Sequence, residues 1–430
     1  MGKFKLFISM AKVGVIGFGG GNALIPVIQK EVVDEKKLIG EEEYEEDVLI
    51  ASITPGALPV EIAGGVGSRV AGWKGAFCGA AGMALPGVIL AVILMSFMGS
   101  VNLTVTKQLN YITVGITAYI ACLLTDYVAK TIKKAKGIYV ILYLCIIVAV
   151  FLLTCGKKLY SFLGIEGSPV VVLSAIHIFL IAFGVIVVVS LLGKPEVKTS
   201  EANGFKKSEF VRMVKELFSF LIILVIFMIP AVLVTNETFR YVINGFVSSL
   251  LSFGGGDAYL TVADGLFVDA KLVSESAFYG QIVPLVNLLP GSILCKTVSC
   301  IGYTIGYSAS GNVIYGYLVA VIGFLCSLLA SCGIFMLARF LYRGFGEIKV
   351  FNLIKSWIRP IVSGLILTVI LSLITQVKKI GVAENIGMMA VIVFAIVYII
   401  NIVMCYKIKC GSLVRLLTSF MLAIIIFNLM

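Results

Sequence analysis

The sequence predicts an all-α, polytopic integral membrane protein built from two related halves. Three observations predict this fold class. First, 60% of the 430 residues are hydrophobic. Second, apolar segments long enough to span a membrane recur along the whole chain. Third, two short motifs are repeated at one fixed spacing. The mean hydropathy of +1.08 exceeds what a single soluble core could shield from water. Lipid is therefore the expected solvent for most of the chain.

Apolar segments long enough to cross a bilayer predict roughly 13 spans, since each crossing helix needs about 20 mostly apolar residues. The expected spans are 5–29, 47–68, 72–99, 108–132, 137–155, 168–192, 217–235, 239–263, 278–302, 311–342, 352–376, 386–406 and 412–430. The first segment starts with basic residues, as a signal peptide does, but Lys12 lies inside it and no cleavage site follows. We expect it to remain in the mature protein.

An internal repeat links the two halves of the sequence. FGGGN at 18–22 recurs as FGGGD at 253–257, and TPG at 54–56 recurs as LPG at 289–291. Both pairs have an offset of 235 residues, without a gap between the two motifs. Chance is a poor explanation for such a match, so the sequence predicts two copies of one structural unit.

The number of spans predicts how the two copies are oriented. Six spans followed by one extra span reverse the direction of the second copy, which is the inverted-repeat plan common among secondary transporters. The expected divisions are a first repeat half at 1–195, a linker with an extra transmembrane helix at 196–236, and a second repeat half at 237–430. Most basic loops agree with an internal amino terminus. Alternatively, the two proline-glycine segments re-enter the membrane, and about 11 spans remain.

Charge and residue usage argue against several function classes. Lysine and arginine exceed aspartate and glutamate by 34 to 23, but cytoplasmic loops account for such a surplus, so we expect no nucleic-acid partner. The ten cysteines contain no CxxC pair and thus indicate neither a zinc site nor a disulfide framework. The one histidine, His177, lies in an apolar run where packing is commoner than proton relay. We expect no enzyme, no metal and no cofactor.

The repeated motifs are the candidate substrate site. Breaks in membrane helices expose backbone groups that hydrocarbon cannot satisfy, so they persist where they face protein or a watery cavity. In transporters the positive amino-terminal ends of broken helices converge and attract anions, and glycine lets a ligand approach the backbone. The alternative is that the glycines only pack helices, as GxxxG spacing does at Gly75 and Gly79. The candidate residues are Phe18, Gly19, Gly20, Gly21, Asn22, Thr54, Pro55, Gly56, Gly254, Gly255, Gly256, Asp257, Pro290 and Gly291.

Charged residues near these breaks complete the candidate set. Charges in apolar segments are expensive and tend to mark transport pathways or ion pairs. Glu61 and Lys296 also differ by 235, so an inverted repeat would relate them by a pseudo-two-fold axis, where they could form a salt bridge. In the other interpretation, Lys296 and Arg69 neutralise a bound anion while Glu61 or Asp257 carries a coupling proton.

Three segments of the first half form a characteristic series: FGGGNALIPVIQKEVVDEKKLIGEEEY from residue 18, ITPGALPVEIAGGVGSRVAGWKGAF from residue 53, and ALPG at 84–87. In their order and spacing the chain resembles the chromate ion transporter family, and the resemblance covers nearly its full length. The FGG motif of the family corresponds to residues 18–20 and 253–255, its proline-glycine motif to both repeated breaks, and its Gly-x-Arg to Arg69. Its long members have two homologous, oppositely oriented halves.

This resemblance implies a secondary transporter of the plasma membrane that works by alternating access. It would export or exchange, as an antiporter, an inorganic oxyanion such as chromate, with sulfate as the similar competitor. The expected partners are the oxyanion and the lipid bilayer, and protons and a homodimer are left open. A passive anion channel and a transporter of a different small anion are the alternatives.

Overall fold

The computed structural model describes residues 3–16, 24–98, 103–163, 173, 177–178, 180–182, 184–185, 188, 207–232, 236–252, 256–345 and 349–429. This part of the chain is helical and contains no strand. Seven of its helices are long and apolar enough to cross a membrane, and two further apolar helices are shorter. The expected all-α, polytopic architecture is confirmed, while the number of 13 spans stays a prediction.

The α-helices within these ranges are numbered in chain order. They are α1 Lys3–Ile16, α2 Ile25–Gln29, α3 Glu41–Ile53, α4 Leu58–Met98, α5 Leu103–Lys134, α6 Ile138–Leu163, α7 Lys207–Val232, α8 Asn236–Leu250, α9 Gly256–Ala263, α10 Glu275–Ala277, α11 Val283–Leu288, α12 Ile293–Ser310, α13 Val313–Phe345, α14 Lys349–Ala383, α15 Met389–Val403 and α16 Ser412–Leu429. Short π-helices extend some of them, at Lys30–Glu35, Asp264–Val268, Phe278–Ile282 and Met404–Ile408.

The chain forms two compact units, and each unit draws on both sequence halves. The first comprises Met1–Ile93, Phe179–Tyr259 and Leu289–Ile358, and the second comprises Leu94–Ile178, Leu260–Leu288 and Arg359–Met430. The candidate site residues that the structure describes belong to the first unit. The divisions at 1–195, 196–236 and 237–430 concern the repeat rather than these units, and they stay a prediction.

The internal repeat of the sequence is also a repeat of local structure. Helix α3 ends at Ile53 and α11 ends at Leu288, while α4 begins at Leu58 and α12 begins at Ile293. Both pairs have the offset of 235 that relates the motifs. The intervening turns place their glycines at positive φ, +141° in the first copy and +90° in the second, which side chains disfavour. Each proline-glycine motif therefore interrupts a helix, as expected.

Helix α4 is a tight hairpin of two helical arms. Gly72 lies at its bend with φ of +60°. A Cβ atom added to Gly67 would lie 2.1 Å from the carbonyl oxygen of Gly75, and one added to Gly79 would lie 2.2 Å from the carbonyl oxygen of Ala63. The two arms thus touch through backbone, and the packing interpretation of the GxxxG glycines is confirmed here.

The second unit has a core formed by α5, α14, α15 and α16. Val114, Val377, Val393 and Ala423 are fully buried in it. Helices α5 and α16 approach each other closely at Gly115, because a Cβ atom there would lie 2.4 Å from the carbonyl oxygen of Ser419.

We expect Gly67→Ala to lower thermal stability more than Gly72→Ala. The first substitution forces apart two helix arms that are in backbone contact, at a cost of about 3 kcal/mol or more. The second has no atom within 4 Å of the added Cβ and bears only the cost of its backbone conformation, φ +60° and ψ −149°, about 1–3 kcal/mol. Melting of the detergent-purified variants measures the difference. Equal melting temperatures would show that the arms do not need this contact.

Candidate functional site

The first proline-glycine turn holds a buried carboxylate. Glu61 lies in the first turn of α4 and is fully buried. Its Oε2 accepts a hydrogen bond from the Thr54 hydroxyl at 3.1 Å, and the same hydroxyl lies 3.0 Å from the carbonyl oxygen of Ile50. The Oε1 atom has no hydrogen-bond partner among the described residues. A Cβ atom on Gly56 would lie 2.1 Å from Oε1, so the carboxylate folds back over its own turn.

The second turn holds a buried ammonium group at the equivalent position. Lys296 lies in the first turn of α12 and is fully buried. Its Nζ donates a hydrogen bond to the carbonyl of Leu289, the residue before Pro290. Thus Glu61 and Lys296 each fold back onto the turn of their own copy.

The salt bridge between Glu61 and Lys296 is not formed. The expectation rested on their shared repeat position, and it is wrong for a physical reason. Each turn supplies a nearer partner of the required kind, a hydroxyl donor from Thr54 for the carboxylate and a carbonyl acceptor from Leu289 for the ammonium group.

Each turn also contacts the segment that leads to the FGGG motif of the other copy. The Gly56 amide donates to the carbonyl of Ser252 at 2.8 Å, and Ser252 directly precedes the second motif. In the second copy, a Cβ atom on Gly291 would lie 3.6 Å from the carbonyl oxygen of Gly14, four residues before the first motif. Each proline-glycine turn therefore lies next to the chain of the other copy within the first unit.

A serine of α13 accepts a hydrogen bond from the backbone of the first turn. The Ala57 amide donates to the hydroxyl of Ser331 at 3.1 Å, which supplies a partner for a backbone donor that the break in the helix leaves open. Neither Ser331 nor Ser252 is among the sequence candidates, because a serine in an apolar helix carries no pattern that marks it.

Several candidates lie wholly or partly outside the described residues. For Gly256 and Asp257 the structure gives only the backbone, at the start of α9. The candidates that lie outside are Phe18, Gly19, Gly20, Gly21, Asn22, Gly254 and Gly255.

Arg69 belongs to a different cluster, where it is held by acidic residues of α3. Its Nε and Nη2 atoms donate to the two carboxylate oxygens of Asp47 at 2.9 and 2.8 Å. Nη2 also lies 2.8 Å from Glu46, and Nη1 lies 3.3 Å from Glu43. Asp47 is fully buried. This guanidinium is thus committed to carboxylates in the structure, and its expected role as an anion ligand stays a prediction.

Two arginines of α13 extend this cluster. Arg343 makes a two-pronged contact with Glu46, from Nε at 2.7 Å and from Nη2 at 2.9 Å. Arg339 donates to the hydroxyl of Ser68 at 2.8 Å and lies 3.8 Å from Asp47. The two arginines are four residues apart, so they occupy one face of the helix. That spacing is the signal that could have marked them as partners for the acidic run of α3.

Glu216 of α7 closes the cluster on its other side. It accepts a hydrogen bond from Ser68 at 2.5 Å, and Arg339 lies 3.9 Å from its second oxygen. A cavity of about 40 Å³ lies between these groups, lined also by Arg69 and Arg212. Charges thereby connect α3, α4, α7 and α13 at one place in the first unit.

The ion pairs change the acidity of Glu46, which lies in α3 outside the candidate spans. Burial acts to raise its pKa, but the hydrogen bonds and charges of Arg343 and Arg69 outweigh burial and lower the pKa to about 2. Glu46 is therefore a stable anion at neutral pH.

The fold and these buried groups define a class: a polytopic α-helical membrane protein with matched breaks in its two copies. The chain belongs to the chromate transporter family, since the model of that family, described as Chromate transporter, matches residues 4–193 and 239–424. The two matches begin 235 residues apart, at the offset of the motifs. The resemblance expected from the sequence, including the long form with two repeats, is confirmed.

Curated relatives match parts of the chain. An uncharacterized transporter of Methanocaldococcus jannaschii is 37% identical over 21% of this chain and 22% of its own length. An uncharacterized transporter of Bacillus subtilis is 27% identical over 32% of this chain and 71% of its own length. A chromate transport protein of Pseudomonas aeruginosa is 25% identical over 46% of this chain and 49% of its own length. No solved structure shows significant similarity to the chain.

We expect Asp47→Asn to destabilise the protein by about 3 kcal/mol, because it removes the fully buried partner of Arg69 and leaves this arginine with the more exposed carboxylates of Glu46 and Glu43. Glu45→Gln is the matched control, since Glu45 lies in the same helix and is exposed. Thermal or denaturant unfolding in detergent measures both variants. Similar stability of the two variants would mean that the cluster contributes little.

We expect the contribution of Glu46 to stability to depend on pH. Its folded-state pKa lies below the ordinary value of 4.5, so the contribution is complete above about pH 4.5 and is lost as the pH falls towards about 2. The difference in unfolding free energy between the wild type and Glu46→Gln should shrink over that interval. A difference that stays constant down to about pH 3 would contradict this assignment.

Proposed function

We propose that the chain is a secondary transporter that moves an inorganic oxyanion, such as chromate or sulfate, across the plasma membrane by proton-coupled alternating access. The observation that carries the proposal is the pair of matched helix breaks, with a buried carboxylate at one and a buried ammonium group at the other. The family membership and the name of the Pseudomonas aeruginosa relative support chromate as one substrate.

The second break has the features of an anion site. Helix α12 begins at Ile293, directly after the turn, and the amino-terminal end of a helix carries partial positive charge. The ammonium group of Lys296 adds a full charge one turn further on. One of its hydrogen bonds goes to a neutral carbonyl, that of Leu289, and an oxyanion would form a stronger, charge-assisted bond with the ammonium group. Binding would then replace this carbonyl by an oxygen of the anion.

The first break has the features of a proton site. The Thr54 hydroxyl has one proton but faces two acceptors, Glu61 Oε2 and the carbonyl oxygen of Ile50. A protonated Glu61 would donate to Thr54, whose own proton would then satisfy Ile50. A charged Glu61 would lack that arrangement in a fully buried place, where an uncompensated charge is costly. Glu61 is thus suited to carry a proton when the site is closed.

The cross-connection of the copies supports alternating access. The first turn is hydrogen-bonded to the segment that precedes the FGGG motif of the other copy, and the second turn lies close to the corresponding segment, so a movement of one copy changes the surroundings of both turns. If the copies are inverted, two such arrangements would face opposite sides of the membrane. Export or exchange against protons follows from the same scheme, with Glu61 as the coupling group.

We expect saturable uptake of labelled chromate or sulfate into proteoliposomes, driven by an imposed pH gradient. Lys296→Met should reduce the uptake by roughly 10- to 100-fold, which corresponds to the loss of a charged hydrogen bond of about 1.5–3 kcal/mol. Glu61→Gln should abolish the response to the pH gradient but retain exchange of one anion for another. The measurement is the initial rate of uptake with and without the gradient.

Two exposed residues, Lys407 and Glu45, serve as matched controls, with Lys407→Met and Glu45→Gln expected to transport as the wild type does. All variants are first tested for a monodisperse elution profile, so that loss of folding is recognised. Flux that neither saturates nor responds to the gradient would favour a passive anion channel. Unchanged uptake and pH response in both Lys296→Met and Glu61→Gln would exclude these residues from transport.

A further inference from the structure

The second unit contains a small cavity lined by residues of α6, of α14, and of α9 with the π-helix that follows it. Its volume is about 20 Å³, which is room for about one particle of the size of a water molecule. None of the described residues that line this cavity is basic. Its polar lining consists of three threonines and two aspartates, which are Thr154, Thr261, Thr368, Asp264 and Asp269.

Two of these threonines form a hydrogen-bonded pair whose protons are already committed. The hydroxyls of Thr154 and Thr368 lie 2.8 Å apart, and both residues are buried. The Thr154 hydroxyl also lies 2.8 Å from the carbonyl oxygen of Val150. A carbonyl oxygen only accepts and a hydroxyl has one proton, so Thr154 donates to Val150 and Thr368 donates to Thr154. The pair therefore has lone pairs, and no further proton, to offer a ligand.

Asp264 adds a buried carboxylate to these acceptors. It is 5% exposed, and it begins the π-helix Asp264–Val268 within a short apolar helix. It also interacts with the phenol of Tyr279, but a phenol is neutral at physiological pH and leaves the charge of the carboxylate in place. Ionisable groups in apolar membrane segments are expensive, and they tend to mark ion pathways and binding sites.

The end of the π-helix adds to the negative potential of this cavity. The π-helix ends at Val268, and the carboxyl-terminal end of a helix carries partial negative charge. Asp269 follows directly, lines the same cavity and is exposed, so one wall of the cavity reaches the surface of the chain. Single π-helical turns are frequent at functional sites.

The first copy has a π-helix in the corresponding place and supplies a cation to it. The π-helix Lys30–Glu35 overlaps with Asp264–Val268 when the offset of 235 is added. Its buried carboxylate, that of Glu31, is bound by the ammonium group of Lys12 at 3.0 Å. The residue 235 positions after Lys12 is Val247. The second copy therefore keeps a buried carboxylate on its π-helix but has an apolar residue at the position of the ammonium group.

The chemistry of the lining selects a small cation. Hydroxyl and carboxylate oxygens that only accept hydrogen bonds are the ligands of hard cations, and transporters bind coupling ions such as Na⁺ at irregular points of their helices. Mg²⁺ usually keeps several of its waters, for which a cavity of this size has no room. A water molecule would satisfy the acceptors but would leave the negative charge uncompensated.

We propose that this cavity is a binding site for Na⁺, held by the carboxylate of Asp264 and the hydroxyl oxygens of Thr154 and Thr368. The ion compensates the carboxylate of the second π-helix, as the ammonium group of Lys12 compensates that of the first. This inference goes beyond the proposed movement of an oxyanion and does not depend on it, because it concerns binding of a cation in the second unit.

Equilibrium binding of labelled Na⁺ to the full chain in detergent tests the proposal without any transport. We expect saturable binding to the wild type. Asp264→Asn should abolish this binding, because it removes the negative charge of the site. Thr368→Val has nearly the same shape without the oxygen and should weaken binding by about tenfold or more. Thr368→Ser keeps the hydroxyl and should bind within about twofold of the wild type.

Two matched control variants should bind Na⁺ as the wild type does. Thr375→Val changes a buried threonine of the same helix whose hydroxyl donates to the carbonyl of Leu371 at 2.9 Å and which does not line the cavity. Asp34→Asn removes an exposed carboxylate from the π-helix of the first copy.

Thermal melting gives an independent measurement. A ligand that binds only the folded state raises the melting temperature, so sodium chloride should stabilise the wild type relative to choline chloride at the same ionic strength. Thr368→Val should melt equally in the two salts, whereas Thr375→Val should respond as the wild type does. If Asp264→Asn does not fold, the threonine variants carry the test.

Two results would overturn the proposal. A wild type that shows no saturable Na⁺ binding and melts equally in the two salts would assign the cavity to water alone. Equal Na⁺ affinity of the wild type, Asp264→Asn and Thr368→Val would place the bound ion elsewhere in the chain.

Discussion

The first unit depends on one constraint: the backbone groups that a helix break exposes must find hydrogen-bond partners inside the protein. The hydrogen bond from the Gly56 amide to the carbonyl of Ser252 provides one such partner. A helix that breaks in an apolar chain leaves backbone donors and acceptors without partners, and hydrocarbon supplies none. Here the other copy supplies one partner and the hydroxyl of Ser331 supplies another. Both partners come from the second half of the chain, so the first break depends on the second copy for the satisfaction of its backbone.

The charges of the first unit are distributed unequally between the copies. Asp47 and Arg69 form the centre of the ion-pair cluster, but the residues 235 positions later are Ile282 and Thr304. The second copy therefore shares the break and lacks the cluster. Removing one partner of a buried ion pair is costly because it leaves the other charge without compensation. They favour one particular contact between α3, α4, α7 and α13, which a symmetrical pair of copies would not have.

The sequence predicts those parts of this structure that depend on local chemistry. Hydropathy indicates helices in a membrane, and a proline-glycine pair indicates a break, so the ends of α3 and α11 follow from the motifs. Partners that are distant in the sequence could not be predicted in this way. Ser331 lies 274 residues from Ala57, and Glu46 meets Arg343 across 297 residues. The pairing of Glu61 with Lys296 was a plausible result of symmetry, but short-range partners within each turn took precedence over it.

The charge that each copy can hold beside its turn follows from the residue that precedes the proline. In the first copy this residue is Thr54, whose hydroxyl can donate to a carboxylate and can also accept from its protonated form. In the second copy the equivalent residue is Leu289, which offers only a carbonyl oxygen. That oxygen would repel a carboxylate but accepts well from an ammonium group. Threonine with glutamate and leucine with lysine are thus two solutions of one geometry, each with a hydrogen-bond partner of the required kind within its own turn.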